Sequence, residues 1–322
     1  MEIARPSWDN IAAATEIIDP VFLGSPVVRS ATLDEVLGCH LVAKVETLNP
    51  IRSFKGRGTS YFVRTGAYGT AAGLVTASAG NFGQGLAYAA ADAGIGLTVY
   101  SATTANPGKI DSMRRFGATV VLEGDDFDAA KIAATAFVEK TGAYFVVDGN
   151  EPAIAEGAGT AALELLQDGP LDAVLVSLGN GALATGVGTW VKHAAPGAEV
   201  VAIGATGAPS MAISWRTHQT TETPSVNTIA DGIAIRVPVP YALDTMHGTV
   251  DDVAEVDDGH LITAMRLIHQ HFGLVVEPAG VAGVAAVLAD PQRWAGRTVG
   301  TILCGANIDR VRAPEWLFEQ GT

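Results

Sequence analysis

Residues 173–186 read AVLVSLGNGALATG, and this stretch decides the fold class of the chain. Its first five residues show no alternation of polar and apolar side chains, which is typical of a strand buried on both faces. The glycines that follow permit a tight turn, and the alanine-rich residues after them favour a helix. A buried strand that passes through a glycine turn into a helix is the building unit of a parallel α/β sheet.

The same unit recurs along the chain. Apolar runs rich in valine and isoleucine predict eight strands, at His40–Glu46, Leu74–Ser78, Leu97–Ser101, Thr119–Leu122, Tyr144–Val147, Ala173–Ser177, Val200–Gly204 and Val299–Leu303. Alanine-rich segments with helical spacing lie between strands, at Gly83–Gly94, Ala129–Lys140, Gly157–Gln167 and Leu261–Phe272. We therefore predict an α/β fold with mostly parallel sheets flanked by helices.

Composition excludes several classes of function. The chain has 322 residues, 48% of them hydrophobic, which suits one large or two modest domains. Its formal net charge is −14, and Arg114-Arg115 is the only basic cluster, so nucleic acid and anionic membranes are not expected partners. Two cysteines form no disulfide framework, and no apolar run suits a secretory signal or a membrane span, so we expect a cytoplasmic protein.

Residues 49–58 read NPIRSFKGRG and place Lys55 between an aromatic residue and small glycines. A lysine in such a slot can lose hydration, which a Schiff-base lysine requires. A turn lysine that caps a helix or neutralises a neighbour explains the same residues. Arg57, two residues further on, could pair with a carboxylate or serve only as a cap.

Residues 78–85 read SAGNFGQG and lie between a predicted strand and a predicted helix. Glycines allow backbone N–H groups to approach a ligand, and the N-terminus of a helix favours an anion such as a carboxylate. Asn81 could also donate its amide to a phenolic oxygen. A plain strand-to-helix turn with an asparagine cap explains the glycines, but not the crowding of a hydroxyl, an amide and a glutamine.

Residues 177–186 have the placement and chemistry of a phosphate-binding turn. They also satisfy a loose G-x-G-x-x-A pattern, so a nicotinamide-dependent oxidoreductase is an alternative. That alternative needs an acidic residue at the end of the next strand, and Ala205-Thr206-Gly207 supplies none. In a third segment, residues 301–309, no basic residue flanks Cys304, so a buried core cysteine explains it better than a nucleophile.

Together these segments resemble the fold-type II pyridoxal-phosphate (PLP) enzymes, and most closely the threonine/serine dehydratase group. The similarity extends over nearly the whole chain. Residues 53–55 (SFK) resemble the cofactor-lysine motif, residues 78–81 the loop that binds the substrate carboxylate, and residues 179–183 the glycine-rich phosphate loop. Thr228–Gly232 and Glu277–Gly280 are also similar to segments of the family.

The resemblance implies a role for each site residue. Lys55 is the expected catalytic residue. The expected cofactor-binding residues are Phe54, Lys55, Asn81, Gly179, Asn180, Gly181, Ala182, Leu183 and Cys304. The expected substrate-binding residues are Ser78, Ala79, Gly80, Asn81 and Phe82. No metal site is expected, because residues 205–211 lack the acidic side chains with which some relatives bind a divalent cation.

The resemblance also implies an architecture and a reaction. The fold is expected to be a two-domain, tryptophan-synthase-β-like α/β fold. Residues 1–60 and 149–322 would form the large cofactor-binding domain, and residues 61–148 the smaller inserted domain with the carboxylate loop. Lys55 would hold PLP as an imine and take the Cα proton of a substrate such as threonine or serine, so that a 2-oxo acid and ammonia form. A homodimer is a further expectation from the family.

Several positions depart from the family pattern. Gly56 stands where dehydratases carry a bulky apolar residue and threonine synthases an aspartate, and Phe82 where a histidine is usual. Asn180 and Ala182 replace glycines of the phosphate loop. Ala79 replaces the second serine of the racemases, which disfavours two-base racemisation. PLP-dependent β-replacement, threonine-synthase-like chemistry and a non-catalytic binding protein on the PLP fold remain alternatives.

Overall fold

The computed structural model describes residues 4–125 and 127–318. Within them ten strands are formed: β1 Val27–Val28, β2 His40–Val45, β3 Leu74–Ala77, β4 Leu97–Ser101, β5 Thr119–Leu122, β6 Tyr144–Phe145, β7 Ala173–Ser177, β8 Glu199–Ala205, β9 Asp252–Val256 and β10 Thr298–Leu303. The α-helices are α1 Trp8–Ala14, α2 Ala31–Leu37, α3 Lys55–Arg64, α4 Asn81–Asp92, α5 Pro107–Arg115, α6 Phe127–Thr141, α7 Pro152–Leu166, α8 Ala182–Ala194, α9 Ser210–Thr217, α10 Pro240–Met246, α11 Asp258–Phe272, α12 Ala282–Ala289, α13 Pro291–Trp294 and α14 Ala313–Leu317. None of these described helices combines the length and the apolar character that a membrane span needs.

The strands form two sheets. The larger sheet has the order β1-β2-β10-β7-β8-β9, and the smaller has the order β5-β4-β3-β6. All neighbouring strands are parallel except β1, which runs antiparallel to β2. The smaller sheet is built from residues 74–145, which lie between β2 and β7 in the chain. The predicted α/β class is therefore confirmed, whereas the domain borders at residues 60 and 148 stay a prediction.

All eight predicted strands form, with shifts of one or two residues at their ends. The sequence did not predict β1, which has two residues, or β9, whose acidic residues interrupt its apolar pattern at the edge of the sheet. All four predicted helices begin two to five residues earlier than expected, at Asn81, Phe127, Pro152 and Asp258. Helix α4 begins at Asn81, inside the predicted loop, and α7 begins at Pro152, where a missing N–H costs nothing in the first turn.

Close packing of three helices fixes the relative positions of the turns at the beginnings of α3 and α8. Helix α7 lies between α3 and α8. A Cβ atom at Gly157 of α7 would lie 2.7 Å from the carbonyl oxygen of Arg57, and one at Gly186 of α8 would lie 1.9 Å from that of Ala155. Only glycine permits such approaches. The beginnings of α3 and α8, and with them Lys55 and residues 179–183, are thereby held in one rigid arrangement.

Candidate active site

Lys55 is the first residue of α3, and its amine contacts a carboxylate. Lys55 Nζ lies 2.5 Å from Asp148 Oδ2, and the two side chains are 16% and 10% exposed. The same Nζ lies 4.8 Å from the centroid of the Phe54 ring and 5.7 Å from that of Phe82. Two aromatic rings therefore shield the amine from water while one carboxylate balances its charge.

Asp148 was not predicted as a site residue. It follows β6, and its Oδ2 also lies 3.5 Å from Asn180 Nδ2 in the predicted phosphate loop. Its Oδ1 is buried and has no hydrogen-bond partner among the described residues. The next residue, Gly149, has φ +84°, and a Cβ there would lie 2.2 Å from the carbonyl oxygen of Asn180. The backbone after Asp148 thus packs directly against the phosphate loop and requires glycine.

The predicted phosphate loop forms the N-terminus of the 13-residue helix α8. The first N–H groups of a helix have no partners within it, and the helix dipole favours an anion there. Gly181 caps the helix with φ +93°. The side chain of Leu183 belongs to an apolar core beside the larger sheet, so its contribution to the turn comes from the backbone.

The predicted carboxylate loop connects β3 to α4. The hydroxyl of Ser78 accepts hydrogen bonds from the backbone N–H groups of Gly80 at 3.2 Å and Gly83 at 3.0 Å. This hydroxyl therefore shapes the turn. Asn81 and Phe82 form the first turn of the 12-residue helix α4, and the half-buried Ala79 and Gly80 precede it. The loop presents a helix N-terminus, which suits a carboxylate.

Asn81 belongs to a polar network that links the two sheets. Its Nδ2 donates to Glu277 Oε1 at 2.6 Å, and its Oδ1 accepts from Asn307 Nδ2 at 2.8 Å. Glu277 is buried, and this burial raises the pKa of its carboxyl, an effect that the nearby Lys109 opposes. Lys109 in turn forms an ion pair with Asp231. The quoted family segments contain Glu277 and Asp231, whereas Asn307, inside the segment 301–309, and Lys109 were not predicted as site residues.

Cys304 directly follows β10, and the charge of Lys55 acts on its thiol. It is 3% exposed, and its carbonyl oxygen accepts a hydrogen bond from the backbone N–H of Phe54 at 2.9 Å. Its thiol contacts Ser177 Oγ at 3.5 Å and the carbonyl oxygen of Ile302 at 3.2 Å. Burial raises the pKa of this thiol to about 12, so the thiol is uncharged at neutral pH.

The space at Gly56 explains one departure from the family. A Cβ atom at this position would lie 2.2 Å from Cε1 of Phe22, which is buried. The ring of Phe22 therefore fills the volume that a larger residue at position 56 would need.

The structure brings most of the predicted site residues together. Lys55, Phe54, Phe82 and Asn180 meet around Asp148, and Cys304 is joined to Phe54 through the backbone. Asn81 contacts Glu277 and Asn307. Asp148 follows the carboxyl end of a strand in a parallel sheet, where ligands commonly bind, and this position is the signal that could have revealed it. Across residues 4–125 and 127–318, no three His, Cys, Asp or Glu side chains are placed to hold a metal ion, and the lack of a metal site stays a prediction.

Known proteins with similar sequence and structure identify the family. The family model for "Pyridoxal-phosphate dependent enzyme" matches residues 18–305. The L-threonine ammonia-lyase of Thermotoga maritima is 34% identical over 303 residues, which cover 94% of this chain and 75% of that protein. The beta-hydroxyaspartate dehydratase of Paracoccus denitrificans is 32% identical over 320 residues, which cover 96% of this chain and 98% of that protein. The solved structure of maize serine racemase superposes with a TM-score of 0.90 at 28% identity, covering 97% of both chains.

The site residues fit a PLP cofactor. The amine of Lys55 lies beside two aromatic rings and contacts Asp148. Asp148 also contacts Asn180, which lies in the glycine turn at the N-terminus of α8. At Gly179 a Cβ atom would lie 2.6 Å from the carbonyl oxygen of Gly232, so the turn has no room for a side chain there. This donor set favours PLP over the nicotinamide cofactor that the glycine pattern left open. The predicted cofactor, fold class and enzyme class are confirmed, and the chain belongs to the family of pyridoxal-phosphate-dependent enzymes.

Proposed function

We propose that this enzyme catalyses α,β-elimination of a small β-hydroxy amino acid, such as threonine or serine, to a 2-oxo acid and ammonia. One observation carries the proposal: the amine of Lys55 lies 5.7 Å from the ring of Phe82 in the first turn of α4, and its charge acts on the uncharged thiol of Cys304. The ammonia-lyase and dehydratase activities named for two relatives support it.

The residues that would hold the cofactor follow from their chemistry. Lys55 would attach it covalently, and the N-terminus of α8 at residues 179–183 would bind its phosphate. Asn81 would face the ring hydroxyl, Cys304 the ring nitrogen, and Phe54 the aldehyde end. When bound, PLP withdraws electrons from the Cα atom of an amino acid.

The chain's own groups would position the substrate and move its proton. The N-terminus of α4, shaped by the hydroxyl of Ser78, would bind the substrate carboxylate. The amine of Lys55 would then take the proton from Cα. The uncharged Cys304 cannot give a formal charge to the ring nitrogen as a carboxylate would, and this suits elimination, in which a carbanion is short-lived.

Two neighbouring chemistries are less well supported. Racemisation needs a second base on the opposite face of the substrate, and Ala79 has no group that titrates. Threonine-synthase-like chemistry carries an aspartate after the lysine, and the ring of Phe22 leaves no room for one at Gly56.

A substrate panel tests the proposal. Purified enzyme loaded with PLP is offered L-serine, L-threonine, L-threo-3-hydroxyaspartate and their D-isomers, and 2-oxo acid and ammonia are measured together. We expect equal amounts of both products from at least one L-β-hydroxy amino acid. Parallel reactions with an added thiol measure β-replacement, and chiral analysis of the remaining amino acid measures racemisation.

The outcomes separate the alternatives. A thiol adduct in place of the 2-oxo acid would make the enzyme a β-replacement catalyst, and a D-amino acid without 2-oxo acid would make it a racemase. Bound cofactor with no product from any amino acid would point to the non-catalytic binding protein. Each of these results would overturn the proposed elimination.

We also propose a homodimer that works in the cytoplasm, and domain borders near residues 60 and 148. Family resemblance supports the dimer and the borders, and the two buried free cysteines support a reducing compartment. Sedimentation equilibrium of the loaded enzyme should give twice the mass of one chain, and a monomer would refute the dimer.

A further inference from the structure

We propose, on the basis of the elimination reaction proposed above, that Asp148 is a specificity-determining residue that senses the charge of the substrate's side chain. Its carboxylate disfavours an amino acid with a second carboxylate, such as 3-hydroxyaspartate, and leaves neutral β-hydroxy amino acids unaffected.

The first step of the inference is distance. Asp148 Oδ2 lies 2.5 Å from Lys55 Nζ. An amine that takes the Cα proton must come within about 3 Å of it. By addition of these contacts, Cα lies within about 6 Å of the Asp148 carboxylate, and a group on the β-carbon, two bonds further, lies within about 8 Å. The charge of Asp148 is therefore close to the atoms that distinguish one β-hydroxy amino acid from another.

The second step is charge balance. Before the cofactor is attached, the ammonium group of Lys55 balances Asp148. An amine that takes the Cα proton must be uncharged, so at that step Lys55 does not balance the charge of Asp148. The neutral amide of Asn180, at 3.5 Å, is the other contact of Oδ2, and Oδ1 has no hydrogen-bond partner among the described residues. The carboxylate then faces the site with little compensation.

The third step concerns the other lysine at the site. The amine of Lys109 would lie 3.9 Å from a Cβ atom at Gly80, beside the carboxylate loop. It forms an ion pair with Asp231, and its positive charge also acts on the buried Glu277. Because two carboxylates already share this cation, Lys109 does not cancel the charge of Asp148.

The expected size of the effect follows from Coulomb's law. Two like charges about 6–8 Å apart in a partly buried site should weaken binding by about 10- to 100-fold relative to a neutral side chain. An isosteric change of Asp148 to Asn should remove this penalty without changing the shape of the site.

A binding measurement tests the inference without turnover. L-Aspartate and L-asparagine have nearly the same shape, differ by one charge and lack the β-hydroxyl group. Their dissociation constants are measured from the absorbance change of the loaded enzyme. We expect L-aspartate to bind at least about tenfold more weakly than L-asparagine, and Asp148→Asn to reduce this ratio to within about threefold.

Matched variants separate the local charge from net charge and from folding. Asp168→Asn removes one negative charge from the surface, where Asp168 pairs with Arg29, and should leave the ratio unchanged. Asp148→Ser provides a second neutral side chain and should behave like Asp148→Asn. Circular dichroism verifies that each variant is folded before its ratio is measured.

A turnover measurement provides the second arm. In the wild-type enzyme, kcat/KM should be higher for L-threonine than for L-threo-3-hydroxyaspartate, and Asp148→Asn should shift the ratio toward the dicarboxylate by about 10- to 100-fold. Equal binding of L-aspartate and L-asparagine in the wild type, or an unchanged ratio in both neutral variants, would overturn the role of Asp148. Failure of every β-hydroxy amino acid to react would refute the proposed elimination instead, while the binding ratio still tests Asp148.

Discussion

Lys55 and Arg57 lie two residues apart at the beginning of α3, but their charged groups differ in burial and in the number of carboxylates that they contact. The guanidinium of Arg57 is fully buried and donates to both oxygens of Glu46, at 2.8 and 2.9 Å, and of Glu164, at 2.8 and 2.9 Å. Lys55 is 16% exposed and has one carboxylate, Asp148. A cation with every donor satisfied stabilises a fold, whereas a cation with one exchangeable partner is available for chemistry.

Helix geometry explains why two neighbouring cations differ so much. Two residues span about 200° around a helix, so Lys55 and Arg57 point to nearly opposite sides. The side of Arg57 also holds the buried Lys44, whose amine lies 2.5 Å from Glu164. Two cations and two carboxylates balance there, and this balance anchors the helix that presents Lys55 to the site.

The largest expected effect is the loss of activity when Lys55 is replaced. Lys55→Ala should lower kcat/KM by at least about 1,000-fold, because the group that attaches the cofactor and accepts the Cα proton is gone. The visible absorbance of lysine-bound cofactor should also be absent. Steady-state kinetics and absorbance spectra of the purified variant measure both.

Lys55→Arg is the matched control for this variant. It keeps a positive charge beside Asp148 but cannot attach the cofactor, so it should be as inactive as Lys55→Ala. Substantial activity in either variant would contradict the catalytic role of Lys55.

Substitution of the buried Arg57 should lower the stability of the fold. Arg57→Leu leaves Glu46 and Glu164 short of their buried partner and should lower the free energy of unfolding by about 3–5 kcal/mol. Urea unfolding of the wild type and the variant measures the difference. Arg57→Lys retains the charge but loses the paired hydrogen bonds, and should lie between them.

The pH dependence of stability sharpens this prediction. Burial alone would raise the pKa of Glu164, but hydrogen bonds and charge from Arg57 overcome it and lower the pKa to about 2. Because this value lies below the ordinary 4.5, the carboxylate stabilises the folded state above pH 4.5, and this contribution is lost as the pH falls toward 2. Arg57→Leu should show a weaker loss in that range. An equal acid sensitivity would mean that Arg57 does not set the pKa of Glu164.

The smallest expected effect comes from substitution of Cys304, whose thiol is uncharged. Cys304→Ser should keep the cofactor and change kcat by less than about fivefold, because both side chains are uncharged donors. With the pKa of the thiol at about 12, the two enzymes should have the same pH–rate profile between about pH 6 and 10. Loss of cofactor in Cys304→Ser, or a thiol ionisation in the wild-type profile, would assign Cys304 an active role.

The sequence by itself determined the α/β class and the order of the functional segments. Runs such as Ala173–Ser177 are buried on both faces, so their composition carries the strand signal without any knowledge of neighbours. The edge strand β9 has acidic residues and lacks that signal. Lys55, Asn81 and residues 179–183 could be named because each lies in a local motif in which residue type and turn chemistry are specific.

Only the tertiary structure decided which charges meet. The sequence left open whether Arg57 pairs with a carboxylate or caps a helix. It also did not identify Asp148 as a site residue, because a carboxylate 93 residues from Lys55 carries no local pattern that identifies its partner. The close packing of α7 between α3 and α8 and the contact of Gly149 with the phosphate loop bring those groups together. Interaction between two charges depends on their distance and burial, and both are properties of the folded chain.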